Sequence, residues 1–159
     1  MRTRKQGRIG GAASLRAGDH APAFTLTAAD GASVSLAAQL RKEPVILAFV
    51  DGWTPGGAAA QFATLVGCAA PVEAEGGALL AISSVFRPSI ALPRDLRLLH
   101  DAGGVIARLY GISAPTTFVI DQASTIVLSL IDAAPGSEIT RSCVTSALAA
   151  LRRIGARRP

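Results

Sequence analysis

The residues best suited to chemistry lie in the short segment between Asp51 and Gly57. Asp51 and Thr54 carry side-chain oxygens that can accept a proton or cap a helix, and Pro55 and two glycines follow them. A helical pattern of apolar residues starts directly afterwards, so the segment is predicted to open a helix. The first backbone N–H groups of a helix attract anions and developing negative charge. The segment therefore favours acid–base chemistry or oxyanion stabilisation on a small organic substrate.

Two histidines extend the candidates for proton transfer, because imidazole takes up and releases protons near neutral pH. His20 is a second acid–base candidate beside Asp51. His100 is followed directly by Asp101, and the two are interpreted as a satisfied surface pair rather than a catalytic dyad.

Two cysteines are the remaining candidate nucleophiles, Cys68 and Cys143. They are far apart in the sequence and lack metal-ligand spacing, so we expect two unlinked, buried thiols in a reducing compartment, the cytoplasm. The sequence has no phosphate-binding Gly-Lys loop and no clustered set of His, Cys and Asp residues. We therefore expect neither a metal nor a cofactor.

The elements that must position these residues alternate between strands and helices. Continuous apolar runs at residues 44–50 and 77–84 predict strands buried on both faces. Between them, helical spacing starts at Ala58, and Pro71 is expected to mark the end of that helix. Other expected elements are a hairpin over residues 24–36 around Asp30-Gly31, a helix at 36–41, a strand at 96–99, a helix at 105–110 closed by Gly111, a hairpin of strands at 116–121 and 125–130, and a helix at 139–154. The order predicts an α/β fold with a central mixed sheet.

The charge is concentrated at the two ends of the chain. The formal net charge is +5, but eight of the 16 Lys and Arg residues lie before Ile9 or after Leu151. The predicted organisation is a flexible basic leader at 1–15, one domain at 16–154 and a basic tail at 155–159. No aromatic residues interleave the basic ends, which argues against nucleic acid as a partner, and no apolar run is long enough to cross a membrane.

Residues 18–26 are G-D-H-A-P-A-F-T-L, residues 30–36 are D-G-A-S-V-S-L, and residues 109–121 are L-Y-G-I-S-A-P-T-T-F-V-I-D. In this order, these strings resemble the alkyl hydroperoxide reductase and thiol-specific antioxidant branch of the thioredoxin superfamily, the peroxiredoxins. The family patterns that they match are G-x-x-A-P-x-F-x-L, D-G-x-x-V-S-L, and Y-G-V followed by P-T-T-F-V-I-D. The resemblance spans residues 16–150 and implies a thioredoxin-like fold with an N-terminal β-hairpin.

The active-site string departs from this family. Peroxiredoxins carry P-x-x-x-T-x-x-C, and alignment of Thr54 with the threonine puts the proline position on Val50 and the peroxidatic cysteine position on Gly57. Alignment with the W-C-x-x-C of redox thioredoxins puts the two cysteine positions on Thr54 and Gly57. The family's thiolate-stabilising arginine falls on Pro115. Because peroxide reduction needs a thiolate, the resemblance implies a converted site.

The same resemblance implies a cleft, because Pro115 aligns with the superfamily's cis-proline, which lies against the active-site loop. The catalytic candidates in this cleft are Asp51 and Thr54. The substrate-binding candidates are Trp53, Pro55, Gly56, Gly57, Gln61, Pro115 and Thr116.

The predicted function is that of a divergent peroxiredoxin-like protein that uses the cleft for binding or non-thiol chemistry on a small organic molecule. Two alternatives remain open: a redox-inactive scaffolding or interaction module, and an atypical thiol peroxidase or disulfide reductase that uses Cys68 or Cys143. Peroxiredoxin-like folds commonly dimerise through the edge strand or the active-site face, so the resemblance also implies a homodimer.

Overall fold

The computed structural model describes residues 15–50, 55–84, 96–112, 116–131 and 137–156. The strands in these ranges are β1 (Thr25–Ala28), β2 (Ser33–Ser35), β3 (Val45–Phe49), β4 (Ala78–Ser83), β5 (Leu96–His100), β6 (Thr116–Ile120) and β7 (Ile126–Ile131). The helices are α1 (Leu36–Lys42), α2 (Pro55–Ala74), α3 (Val105–Leu109) and α4 (Ser137–Ala156).

The strands form one mixed sheet in the order β2-β1-β5-β4-β3-β6-β7. Strands β3, β4 and β5 are parallel, while β6 pairs antiparallel with β3 and β1 pairs antiparallel with β5. The apolar runs predicted to be central strands are central, and every residue of β3 is buried. The predicted α/β mixed sheet with an N-terminal β-hairpin is confirmed.

The sheet separates two apolar clusters, because successive side chains of a strand point to opposite faces. Leu47 and Phe49 face the first cluster, which also contains residues of α1 and the N-terminal hairpin. Ile46 and Ala48 face the second cluster, to which α2 and α4 contribute Leu65 and Leu151 among others. The face that carries α2 and α4 is called the α2 face below.

The predicted end of α2 at Pro71 is wrong, since the helix continues to Ala74. Proline lacks the N–H that would bond to the carbonyl of Gly67 one turn earlier. Pro71 lies on the exposed side of the helix, where that carbonyl can be hydrated, while Val72 is fully buried against the sheet. Packing of the buried side therefore outweighs the loss of one hydrogen bond.

Candidate functional site

The parallel strands define the edge of the sheet at which a site can form. Strands β3, β4 and β5 end at Phe49, Ser83 and His100, and this end of the sheet is called the carboxyl edge; the opposite end is the amino edge. Helix α2 starts at the carboxyl edge, with five residues between it and the end of β3. In α/β sheets, ligands bind outside the carboxyl ends of the strands, where helix N-termini supply backbone donors.

Helix α4 starts at the same edge. Ile131, at the end of β7, lies opposite Thr116, which lies opposite Phe49 in β3. Near its other end, α4 reaches the amino edge, where Gly77 directly precedes β4 and Pro44 directly precedes β3. A Cβ atom added at Gly77 would lie 2.9 Å from Leu151 Cδ1 of α4 and 3.3 Å from the Pro44 carbonyl oxygen. The positive dipole ends of two long helices therefore point toward the carboxyl edge.

Pro55, Gly56 and Gly57 are the first three residues of α2, as the sequence predicts. Pro55 occupies the first helical position, where the missing N–H costs nothing. Glycines at the next two positions add no side chains to this turn, and the first backbone N–H groups of a helix have no partners within the helix. Asp51, Trp53, Thr54 and Pro115, with the predicted cis bond, lie outside the described residues, as does the side chain of Gln61.

Thr116 is the first residue of β6 and is 2% exposed. Phe118 and Ile120 share the cluster on the face opposite α2, whereas Val119 shares the α2 face. Alternation along β6 therefore gives the Thr116 side chain the same face as Phe118. Thr116 reaches the carboxyl edge through its backbone at the strand end, and its side chain points away from α2.

The structure contradicts the expectation that His20 could serve this site. His20 forms an isolated bridge with Thr125, next to the turn between β6 and β7. Ile120, at that end of β6, pairs with Val45, the first residue of β3. His20 therefore lies at the amino edge, roughly 16 Å from the carboxyl edge at about 3.3 Å per strand residue.

His100, by contrast, lies at the carboxyl edge, directly opposite Ser83 in β4. Its neighbour Asp101 is 1% exposed, so the expected surface pair is wrong for the aspartate. The Asp101 carboxylate accepts hydrogen bonds from the backbone N–H groups of Ile106 at 3.0 Å and Ala107 at 2.9 Å. Asp101 thus caps α3, and its oxygens are engaged by the helix. The position of His100 opposite Ser83 could not be predicted from the sequence, because the register of two strands cannot be derived from either strand alone.

Tyr110 packs on the face of the sheet opposite α2, against strands that end at the candidate site. It is fully buried and lies next to Phe24, Phe49 and Phe118, with ring centroids 5.3 to 6.3 Å away. Its hydroxyl donates a hydrogen bond of 2.6 Å to the Pro22 carbonyl. Burial raises the pKa of the Tyr110 hydroxyl well above its ordinary value. Tyr110 therefore remains protonated and acts as a structural link between the N-terminal segment and the strands that lead to the site.

Cys68 is separated from the N-terminus of α2. Cys68 is half-buried in α2 and packs against the second apolar cluster. It lies eleven residues after Gly57, which corresponds to about 16 Å along a helix. Cys143 belongs to α4, and its side chain lies outside the described part of the chain.

A cavity of about 220 Å³ lies at the amino edge, with Lys42, Glu43, Glu73 and Arg97 among its lining residues. It is a strand length away from the first turn of α2, so it is distinct from the predicted cleft. Among the residues the structure describes, no three His, Cys, Asp or Glu side chains group as metal ligands would. In the same residues, every helix is too short or too polar to span a membrane.

Comparison with known sequences identifies one family. The sequence pattern of the AhpC/TSA family matches residues 17–129. No curated protein sequence matches the chain significantly.

Solved structures share the fold. Peroxidoxin BcpB from Mycobacterium tuberculosis is 23% identical, with a TM-score of 0.70 over 91% of this chain and 99% of that chain. Thioredoxin peroxidase I from Plasmodium yoelii is 18% identical, with a TM-score of 0.69 over 89% and 93%. AhpC from Mycobacterium tuberculosis is 17% identical, with a TM-score of 0.68 over 87% and 94%. At these identities the likeness establishes the thioredoxin-like fold.

Proposed function

Since this chain belongs to the AhpC/TSA family, we propose that it is a member that has lost thiol peroxidase chemistry and binds a small organic molecule at the former active site. The observation that carries the proposal is Gly57 in the first turn of α2, at the position that matches the family's peroxidatic cysteine. Glycine has no side chain that could attack a peroxide, and the position matching the family's arginine is Pro115.

Cys68 is not well placed to replace the lost thiolate. A helix dipole lowers a thiol pKa near the helix N-terminus, and its influence falls off within the first turn. Cys68 lies three turns beyond Gly57, where this stabilisation is absent. We place the protein in the cytoplasm, where both thiols would stay reduced.

The altered site keeps the features that bind a small molecule. Gly56 and Gly57 carry no side chains that would cover the backbone N–H groups of the first turn of α2, and two helix N-termini start at the carboxyl edge. We propose that Asp51 and Thr54 supply polar or catalytic groups there. Trp53, Gln61 and the loop at Pro115 would form the walls, and Thr116 would contribute its backbone.

Peroxide turnover tests the lost chemistry. With hydrogen peroxide or an organic hydroperoxide and a thioredoxin or dithiol reductant, we expect no consumption above the rate without protein, because the nucleophile is missing. The matched variants Cys68→Ser and Cys143→Ser should give the same rate as the wild type. Rapid turnover that Cys68→Ser or Cys143→Ser abolishes would show that a displaced thiol has taken over, and the proposal would then be wrong.

We also propose that the chain forms a homodimer through β7. This edge strand, I-V-L-S-L-I, contains no charged residue and no proline, which are the usual devices against edge-to-edge pairing. The N-terminal segment covers its beginning, where the Gly18 N–H bonds to the Ile126 carbonyl at 2.8 Å. Within the described residues, no strand pairs with β7 on that side from Leu128 onward, although the Ser129 hydroxyl donates a hydrogen bond of 3.3 Å to the Leu15 carbonyl.

Sedimentation equilibrium tests this association. We expect a dimer for the wild type and a shift toward monomer for Ser129→Lys, because a charge on the edge disfavours strand pairing. The control is Ser33→Lys on β2, the opposite edge of the sheet, which should leave the dimer intact. A monomeric wild type, or equal effects of the two lysines, would contradict the proposed interface.

A further inference from the structure

A row of polar side chains crosses three strands next to the candidate site. His100 in β5 lies directly opposite Thr27 in β1 on one side and Ser83 in β4 on the other. Ser83 follows Ile82, which pairs with Phe49, so the row is level with the end of β3. The row therefore belongs to the carboxyl edge and leads toward the segment that opens α2.

The three side chains share the α2 face of the sheet. Leu96 and Leu98 pack in the cluster with α2 and α4, and alternation along β5 gives His100 the same face. Thr27 lies between Leu26 and Ala28, which face the other cluster. Ser83 is 2% exposed, whereas His100 and Thr27 are exposed. The row thus runs from solvent into the protein.

The outer pair has the donors that a carboxylate requires. Side chains directly opposite each other on neighbouring strands have Cβ atoms about 5 Å apart. Imidazole carries at least one N–H donor in either protonation state, and the threonine hydroxyl supplies another donor. The two oxygens of one carboxylate can accept from both groups. The neighbouring Asp101 carboxylate is directed to the amides of α3 and does not compete for them.

The spacing of the strands sets the size of the ligand. Two strand intervals separate β5 from β3, which corresponds to about 10 Å. A molecule whose carboxylate lies at His100 would therefore reach the first turn of α2 if its body is roughly that long.

We propose that His100 and Thr27 form a subsite for the carboxylate of a small organic molecule, with buried Ser83 as its inner wall. This inference rests on the proposed binding function of the cleft and adds the chemical class of its ligand. It also replaces His20 by His100 as the histidine that serves the site.

The chain provides its own internal reference for a test, because it has two histidines. In full-length protein labelled at histidine, NMR titration with benzoate should shift the His100 ring signals saturably and leave those of His20 unchanged. Benzamide is the matched neutral probe and should shift His100 at least about tenfold more weakly, as expected for loss of hydrogen bonds to a charged group. Sodium chloride at the same ionic strength controls for screening.

Variants separate the subsite from the fold and from the cleft. His100→Gln should weaken benzoate binding about tenfold or more, and Thr27→Val should weaken it less, while His20→Gln should leave the affinity unchanged. If His100 does not respond, or responds equally to chloride, the subsite is wrong. If benzoate binds wild type and His100→Gln equally, the subsite is overturned while the proposed cleft function stands.

Discussion

Replacement of Asp101 by alanine is expected to lower the free energy of unfolding by about 2–3 kcal/mol. The Asp101 side chain accepts two backbone hydrogen bonds, from Ile106 and Ala107. Both donors belong to the first turn of α3, a helix of five residues that has no room to lose a turn. Loss of a helix cap costs about 0.5–2 kcal/mol, and a buried donor without a partner adds about 1–3 kcal/mol. The two hydrogen bonds of Asp101 are only partly buried, so the loss of stability is expected to lie within this combined range and below its upper end. Urea unfolding followed by circular dichroism measures the change.

Two variants and one local measurement test whether the loss of stability comes from the hydrogen bonds between Asp101 and α3. Asp101→Asn retains one acceptor oxygen and should lose about half as much stability. Asp121→Ala removes an equivalent pair of bonds, from Ala123 and Thr125, at a more exposed turn and should cost less than Asp101→Ala. Hydrogen exchange at the Ile106 and Ala107 amides should accelerate in Asp101→Ala. Unchanged exchange there would refute the capping role.

The consequence of this cap extends toward the candidate site. Helix α3 ends before Gly111, which has a φ of 70°, and the chain then continues to the loop at Pro115 and to β6. Tyr110 at the end of α3 is bound to Pro22 and packs on Phe49. The Asp101 carboxylate, directly after β5, therefore holds the helix that precedes β6 along the chain. Its role is in positioning, since its oxygens are bound to backbone amides.

The fold could be predicted from the sequence where the pattern is local. The runs that became β3 and β4 are apolar without alternation, and this pattern is typical of strands covered on both faces. The first hairpin was predictable because Asp30-Gly31 favours a turn; Gly31 has a φ of 90°, and the Ala32 N–H bonds to Asp30 Oδ1. The end of α2 was not predictable, because the burial of Val72 that carries the helix past Pro71 comes from tertiary packing.

The candidate site could be predicted only where it depends on local sequence signals. Pro55, Gly56 and Gly57 open a helix by local signals, and the structure confirms that they do. The roles of the two histidines depend on strand pairing. His20 is brought beside Thr125, and His100 is brought between Thr27 and Ser83, through contacts that are distant in sequence. The burial of Asp101 is likewise set by α3 folding back onto the end of β5.

The largest expected effect on stability comes from the aromatic cluster on the face of the sheet opposite α2, which consists of Phe24, Phe49, Tyr110 and Phe118. Phe118 is fully buried. Its ring is edge-on to that of Phe49, with the ring centroids 6.0 Å apart, and its centroid lies 5.5 Å from that of Tyr110. Phe118→Ala should lower the free energy of unfolding by about 3–5 kcal/mol, because it removes buried apolar surface and leaves a cavity that the central sheet cannot close. This is a large fraction of the roughly 5–15 kcal/mol that stabilises a typical domain.

Phe118→Leu tests how much of this loss is due to the cavity that alanine leaves. Leucine fills most of the space, so we expect a loss of about 1.5 kcal/mol or less for this variant. Along the chain, Phe49 precedes residues 51–54 and Phe118 follows residues 113–115, the two segments proposed to line the cleft. If the cluster holds those segments in place, Phe118→Leu should also weaken benzoate binding while the protein remains folded. Equal unfolding free energies for the leucine and alanine variants would mean that packing around Phe118 adjusts to its removal. Unchanged benzoate binding by Phe118→Leu would mean that the cluster stabilises the sheet without fixing the site.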